Sequence, residues 1–382
     1  MKQFCILFFG ADGSWEHLTK TGFTRRNTNM LLAMVEHPEV EVVFNVQFLT
    51  RGQWFKSITN NLKNSTSSKP CIDLGVVPFI PLSLPGSKRI NSMLNQMRIA
   101  RAIKGFKSPT ISWCYWPKGY RIWKNYWNQG CMVFDADHNI ANDPHIPANQ
   151  LNVRKHELLT IEMDAQILVS SSRSMNNWFK LNEKARLLMN GVDNRRFSKT
   201  KPECIARNKP PVIGYLGTLS KWMEVDWLIR LAQNHPDWQF KIGGVNHQTS
   251  ISEKLNKLSN VELFGKVLFA DVPNFLASLD IGLSLYKPEP ELDVNSMKVY
   301  EYLSAYVPVV ALRNHPHFDE DFGDLLDSVS TYSELEETIQ RNLDQPKDEQ
   351  WQHEIAEFLS RSQWSTRAEE AIAIIKEFQT VN

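Results

Sequence analysis

The chain of 382 residues, 42% hydrophobic and 22% charged, has room for two α/β cores, and it holds no run of about 18 apolar residues that would cross a bilayer as a helix. Its net charge of +1 conceals a division: residues 1–190 carry 23 Lys/Arg against 13 Asp/Glu, or +10, leaving 20 against 29, or −9, for the rest. Five scattered cysteines with no CxxC pair argue against a disulfide framework or a zinc site and suit a reducing cytoplasm. The short apolar run Phe4–Phe9, with no small-residue cleavage site after it, reads as a buried first strand rather than a signal peptide. It ends in the loop Gly10-Ala11-Asp12-Gly13, and a helix starts near Asn27 or Thr28. Strands follow at 40–48, 109–116, 130–134, 166–170 and 185–189, with a polar, turn-rich loop at 60–70.

A proline-bearing stretch without periodicity, 194–211, reads as a linker between a first domain, 1–193, and a second, 212–362. In the second, strands at 212–217, 238–242, 261–264, 280–285 and 307–312 alternate with helices at 224–234, 251–258, 272–278 and 296–305. Such alternation predicts doubly wound parallel sheets of Rossmann type in both halves. A last helix, from Trp364 to about Phe378 within 363–382, lies beyond the second domain.

The most informative stretch runs from Asp293 to Ala311, where a polar loop caps a helix that leads into a buried strand. Asn295 or Ser296 at the helix start leaves backbone N–H groups unsatisfied, a ready anion site. Lys298 adds a positive charge in the first turn, and Glu301 lies one turn on along the same face, placed to accept from two ribose hydroxyls. Together they suit a nucleoside diphosphate, whereas the plain alternative is a capped amphipathic helix with a surface Lys–Glu pair.

This stretch resembles the donor-binding signature of glycosyltransferase family 4 and its relatives: two acidic residues, Asp293 and Glu301, flank seven others before a Pro-Val-Val strand. Its Ser296-x-Lys298-x-x-Glu301-Tyr302 form is similar to enzymes of bacterial exopolysaccharide and teichuronic acid synthesis, including the xanthan-type glucuronosyltransferase. The resemblance implies the GT-B fold: two Rossmann-like domains whose parallel sheets face a cleft, with the closing helix crossing back to the N-terminal domain. It implies a hexosyltransferase that takes the sugar from a UDP- or GDP-linked donor and needs no further cofactor or metal. Gly217, Thr218, Lys221, Gly265, Lys266, Asp293, Asn295, Ser296, Met297, Lys298 and Glu301 then belong to the donor. Gly214-Tyr215-Leu216-Gly217-Thr218 resembles the glycine loop of the donor domain, Asn260–Val267 the segment that receives the base, and Asn190-Gly191-Val192-Asp193 the exit from the first domain. The chain departs from family 4 in having Thr218 where Arg is usual and Lys221 earlier than the usual lysine.

In the first half, Asp135-Ala136-Asp137-His138 follows a strand. Two carboxylates at that spacing fit a divalent cation, a turn, or a general base that takes the proton of an attacking hydroxyl. Asp137 resembles the base of the xanthan-type enzyme, which implies inversion, whereas family 4 chemistry implies retention; Asp12 is the second candidate base. Gly13, Arg25, Arg26 and His138 are assigned to the acceptor. His315, His317, Asp319, Glu320 and Asp321 read as a surface loop.

Between Asp73 and Asp135 no acidic residue occurs, while nine Lys/Arg do. Residues 88–107 can form a helix with Ile90, Met93, Leu94, Met97, Ala100 and Ile103 on one side, and Trp113, Tyr115, Trp116, Tyr120, Trp123, Tyr126 and Trp127 follow, interleaved with cations; many of these tryptophans read as core, with Trp113 and Tyr115 alternating on a buried strand. Basic and aromatic residues together suit an anionic membrane surface on the inner face of the cell membrane. A polyprenyl-diphosphate-linked carbohydrate acceptor would fit that charge, and nucleic acid is disfavoured as partner. A catalytically silent GT-B subunit is the competing reading. A nicotinamide dehydrogenase is not, because Gly10–Gly13 lacks the GxGxxG spacing.

Overall fold

Six consecutive apolar residues can all be buried only in a strand covered on both faces, and Phe4–Phe9 forms such a strand, β1, in the computed structural model. The structure describes residues 3–50, 52, 71–77, 83–137, 146–171, 173–197, 210–219, 222–245, 249–288, 295–313 and 317–381. The expected loop 60–70 and the site candidates Lys221, Asp293 and His138 lie outside the described residues, as does His315. The chain divides into two units, Met1–Met189 with Trp364–Asn382, and Asn190–Gln363.

The first unit continues through α1 (Trp15–Thr21), α2 (Arg26–Glu36), β2 (Val40–Phe48), β3 (Cys71–Val76), α3 (Ser87–Ile103), β4 (Thr110–Tyr115), α4 (Trp116–Tyr126), β5 (Cys131–Ala136), α5 (Ala148–Asp164), β6 (Ile167–Ser170), α6 (Arg173–Trp178) and β7 (Ala185–Leu187). Its seven strands pair in parallel in the order β3-β2-β1-β4-β5-β6-β7. The winding direction reverses between β1 and β4, so the loops leaving those strands diverge and open a crevice at their carboxyl ends.

Helix α3 turns Ser87, Asn91, Asn95 and Ile99 inward and leaves Ile90, Met93 and Met97 of the apolar stripe 40%, 53% and 63% exposed. The cause is Asn95, whose side chain accepts from the Val77 N–H at 3.1 Å and donates to the Val77 carbonyl at 2.8 Å, satisfying backbone groups just past β3. The surface expected over 88–127 is narrower among the aromatics of 113–127: Trp113 is buried on its strand as read, and Tyr120, Trp123 and Trp127 are buried too, the first two on α4 and the third at its C-cap, in a helix disguised in the sequence by Pro117 and Gly119 in its first turn. Gly119 is required there, because a Cβ would collide with the Phe9 carbonyl at the end of β1.

The second unit is a second winding: β8 (Val212–Leu216), α7 (Val225–Asn234), β9 (Gln239–Gly243), α8 (Thr249–Leu255), β10 (Val261–Gly265), α9 (Val272–Ala277), β11 (Ile281–Ser284), α10 (Met297–Ser304), β12 (Val309–Leu312), α11 (Phe318–Phe322), β13 (Asp327–Val329), α12 (Tyr332–Asp344) and α13 (Glu349–Ser360). The parallel order β10-β9-β8-β11-β12-β13 is the Rossmann order. Residues 194–197 are a 3-10 turn of this unit, with Phe197 buried beside Val212, Leu276 and Tyr300. Helix α14 (Trp364–Val381) belongs to the first unit, where it packs on α2 and Lys376 pairs with Glu39 at 2.6 Å.

Candidate functional site

In the second unit, three glycines end the three adjacent strands β8, β9 and β10. The Gly217 N–H donates to the Gly243 carbonyl at 2.8 Å, and the Gly244 N–H to the Gly265 carbonyl at 2.6 Å. Helix α10 begins beside this row. Its N-cap Ser296 makes no side-chain cap hydrogen bond, and in the first turn the Val299 N–H meets the Ser296 carbonyl at 3.1 Å; a helix start without a side-chain cap is a place for an anion. A Cβ on Gly217 would lie 2.6 Å from the Lys298 ammonium, so the absence of a side chain there is what lets the cation lie over the loop.

Lys298 does not extend into solvent. Its ammonium donates to the Tyr215 hydroxyl at 3.1 Å and lies 4.4 Å and 4.2 Å from the ring centroids of Tyr215 and Tyr286. Burial opposes its charge, but the oxygens of Tyr215, Tyr286 and Tyr302 outweigh that and hold it above the ordinary lysine range. The Tyr215 hydroxyl in turn donates to the Thr218 carbonyl at 3.1 Å, while Tyr302 accepts from the Leu216 N–H at 2.7 Å. Tyr286 is placed by a short antiparallel bridge between Met223 and itself, flanked by Lys287 N–H to Trp222 carbonyl at 2.8 Å.

Glu301, one turn along α10, is partly buried and paired with Arg196 at 3.4 Å. Burial raises its carboxyl above the usual range, against the pull of Arg196 and then Lys298. Of the other expected donor residues, Met297 is half-buried in the first turn, and Thr218, Gly265 and Lys266 are exposed at the strand ends. Asn295 is different. It is buried, accepting from the Asn190 N–H at 3.2 Å and the Tyr300 hydroxyl at 3.0 Å, so its side chain braces the interior below α10.

In the first unit, Asp12 follows β1 at the crevice. Its carboxylate receives Arg25 at 3.2 Å, Asn27 at 3.1 Å and Lys118 at 3.3 Å. The Gly13 carbonyl accepts from Asn45 at 2.9 Å and from Gln47, and Asp73 takes the Trp15 N–H, so the loop is pinned to β2 and β3. Arg26, expected beside Arg25 at the acceptor, is instead 2% exposed, bound to Asp135 at 2.9 Å and to the Met189 carbonyl at 3.2 Å. Asp137, just past β5, is half-buried; its side chain accepts from the Tyr115 hydroxyl, and Ser171 holds its carbonyl at 2.7 Å. Asp135 of the Asp-x-Asp pair therefore faces the protein interior, and only Asp137 stands at the strand end.

Sequence reasoning passed over Tyr286 and Arg196, and it named Tyr115 only in the aromatic run, not as a partner of Asp137. Only Tyr215, inside the quoted glycine loop, lay next to a recognised signal.

Residues 210–343 match the family described as "Glycosyl transferases group 1". A relative in Bacillus subtilis (strain 168), the "Putative teichuronic acid biosynthesis glycosyltransferase TuaH", is 30% identical over 136 residues, 34% of this chain and 34% of that one. The match thus spans about a third of that relative's length. Among solved structures, Anabaena Alr3699/HepE in complex with UDP and glucose superposes with a TM-score of 0.64 at 15% identity, over 98% of this chain and 100% of that one. Sucrose-phosphate synthase from Thermosynechococcus elongatus does so with 0.64 at 11% identity, over the whole of both chains. The chain has the two-unit GT-B fold of these neighbours, and its residues 210–343 are a glycosyl transferases group 1 domain.

Proposed function

We propose that this chain is a metal-independent glycosyltransferase that moves a hexose from a UDP-linked donor to a lipid-linked carbohydrate during surface polysaccharide synthesis. The observation that carries the proposal is the convergence, within one unit, of the open α10 N-terminus, the Lys298 ammonium over Gly217, and Glu301 one turn on. Two phosphates find N–H donors and a fixed cation there, and a carboxylate is spaced to meet ribose hydroxyls. The Anabaena neighbour holds UDP and glucose, which supports uracil over guanine, and the Bacillus relative bears a teichuronic acid name, which supports a cell-surface glycan.

In the first unit Asp137 is the base we assign. Asp12 is less suited, because both its oxygens already receive cations or an amide. The acceptor oxygen forms the new bond to the anomeric carbon, its proton passes to Asp137, and UDP departs with the electrons of the broken C–O bond. That chemistry inverts the anomeric centre.

Membrane attachment is assigned to α3 and its flanks, where exposed Leu84, Ile90, Met93 and Met97 lie among exposed Lys88, Arg89, Arg101 and Lys104. This narrows the expected surface 88–127, since Lys118, Arg121 and Lys124 are paired with Asp12, Glu157 and Asp164.

Calorimetric titration with UDP in the presence of EDTA tests the donor site. Saturable binding that falls at least tenfold in Lys298→Ala and Glu301→Ala supports it; equal affinity in all three proteins refutes it. Co-sedimentation with phosphatidylglycerol vesicles tests the surface. Losing Lys88 and Arg89 to Ala, at about 1 kcal/mol per cation, should weaken attachment about thirtyfold.

A further inference from the structure

We infer that Arg196 is a positioning residue for the donor ribose: it fixes the Glu301 carboxylate, as an anion and in one orientation, for the sugar hydroxyls. The inference rests on the donor-site assignment above and adds a residue from a segment whose sequence reads as linker.

Three observations carry it. Arg196 Nη1 meets Glu301 Oε1 at 3.4 Å, while Nη2 donates to the Phe269 carbonyl at 2.8 Å. The guanidinium carbon sits over the Phe269 ring, 3.4 Å from its centroid, and 5.3 Å from that of Phe197. Finally, both members of the pair are largely shielded, with side chains 17% and 23% exposed. A guanidinium anchored by a carbonyl and two rings has little freedom left, so the carboxylate it holds is oriented too. One carboxylate oxygen, Oε1, faces Arg196, and among the described residues no other hydrogen-bond donor meets the carboxylate, so Oε2 and the remaining lone pairs can take hydroxyl donors.

The charge state matters as much as the orientation. A carboxylate accepts from two vicinal hydroxyls, whereas a protonated carboxyl gives up part of that capacity. Burial drives Glu301 toward protonation. The charged groups that face it are Arg196 from the 3-10 turn and Lys298 from its own helix, and Asp193 acts on Arg196 in turn. Lys298 is itself held by Tyr215, so Arg196 is the group in direct contact that keeps Glu301 ionised.

The test is the affinity for UDP-glucose, which carries no titrating phosphate in the range, measured between about pH 5.5 and pH 8. Wild type, Arg196→Leu, Arg196→Lys and Glu301→Gln are compared, each checked for folding by thermal melting. In Arg196→Leu the midpoint of the affinity profile should move upward, so that binding is about tenfold weaker at pH 6 than at pH 8 while wild type varies less. Arg196→Lys should bring the profile back toward wild type, and Glu301→Gln should bind weakly with a flat profile. Should Arg196→Leu fail to fold, Arg196→Lys against wild type decides: a smaller upward move of the midpoint supports the inference. Wild-type binding with the same profile in the arginine variants overturns it while leaving the donor site standing. Absence of wild-type binding at every pH overturns the donor-site assignment, and this inference with it.

Discussion

The Lys298 ammonium donates to the Tyr215 hydroxyl at 3.1 Å while lying 4.4 Å from the centroid of the same ring. With Tyr286 on another side at 4.2 Å, the cation is kept charged and stationary before any ligand arrives. A fixed cation has lost its side-chain entropy during folding, so an incoming diphosphate does not have to supply it.

Gly217→Ala tests this placement. The new Cβ would stand 2.6 Å from Nζ and displace the ammonium, the flexible end of a side chain, rather than backbone. Gly217 also sits at φ +155°, which a side chain strains, so we expect stability to fall by about 2–4 kcal/mol in urea unfolding and UDP affinity to fall about tenfold or more. Unchanged affinity would show that the cation's present position is irrelevant to binding.

Asp137→Asn should remove turnover, by about 10²–10⁴-fold, with UDP affinity within a factor of two or so of wild type. Asp12→Asn should cost less in rate and more in acceptor KM, because it loosens Arg25 and Lys118 together. The measurement is initial rate against acceptor concentration, with the anomeric configuration of the product read by NMR. A retained configuration would remove Asp137 from its assigned role.

Arg26 and Asp135 form an ion pair with side chains 1% and 0% exposed. Burial raises the Asp135 carboxyl, opposed by Arg26. Removing either partner alone leaves a buried charge, so Arg26→Met or Asp135→Leu should destabilise the first unit by about 3–5 kcal/mol. The double variant should cost clearly less than the sum of the two. Additive losses in denaturant titrations would contradict this coupling.

Asp327 ties the edge strand β13 to its neighbours through Lys347 at 2.9 Å, Arg341 at 2.9 Å and Asn342 at 2.9 Å. Burial alone would raise its carboxyl; the hydrogen bonds from Lys347 and Asn342 and the two cations overcome this and hold it below the ordinary value of 3.8. A depressed folded-state pKa contributes stability that is present above the unfolded pKa and lost as the pH falls through the folded one. Asp327→Ala should therefore cost about 2 kcal/mol at neutral pH, with the gap from wild type narrowing below about pH 4. A gap independent of pH would mean that packing, not charge, is what the substitution removes.

The central strands of both parallel sheets could be read from the chain because short apolar runs alternate with amphipathic ones, but the edge strands β3 and β13, short and partly polar, were not read. The helix at 296–305 and its Lys298 and Glu301 were equally legible, since capping and i,i+3 spacing are local properties. Burial was harder to see. Asn95 turns inward on α3 to satisfy Val77, a contact set by tertiary structure rather than by periodicity. Arg26 reads as a surface cation until Asp135, 109 residues away, is placed against it. Arg196 and Tyr286 escaped notice for the same reason: their partners, Glu301 and Lys298, are distant in the chain.

The docking of α14 on α2 has a consequence for biosynthesis. Trp364, Ala368, Ala371, Ile372 and Ile375 are all buried, so the cover of α2 is encoded more than 350 residues after β1. During translation the seven strands emerge with α2 bare on that side, and they stay so until more than 170 further residues have left the ribosome. A nascent chain stalled before Trp364 should bind chaperones and yield to protease at α2, and releasing the final helix, even supplied as a separate peptide, should protect it.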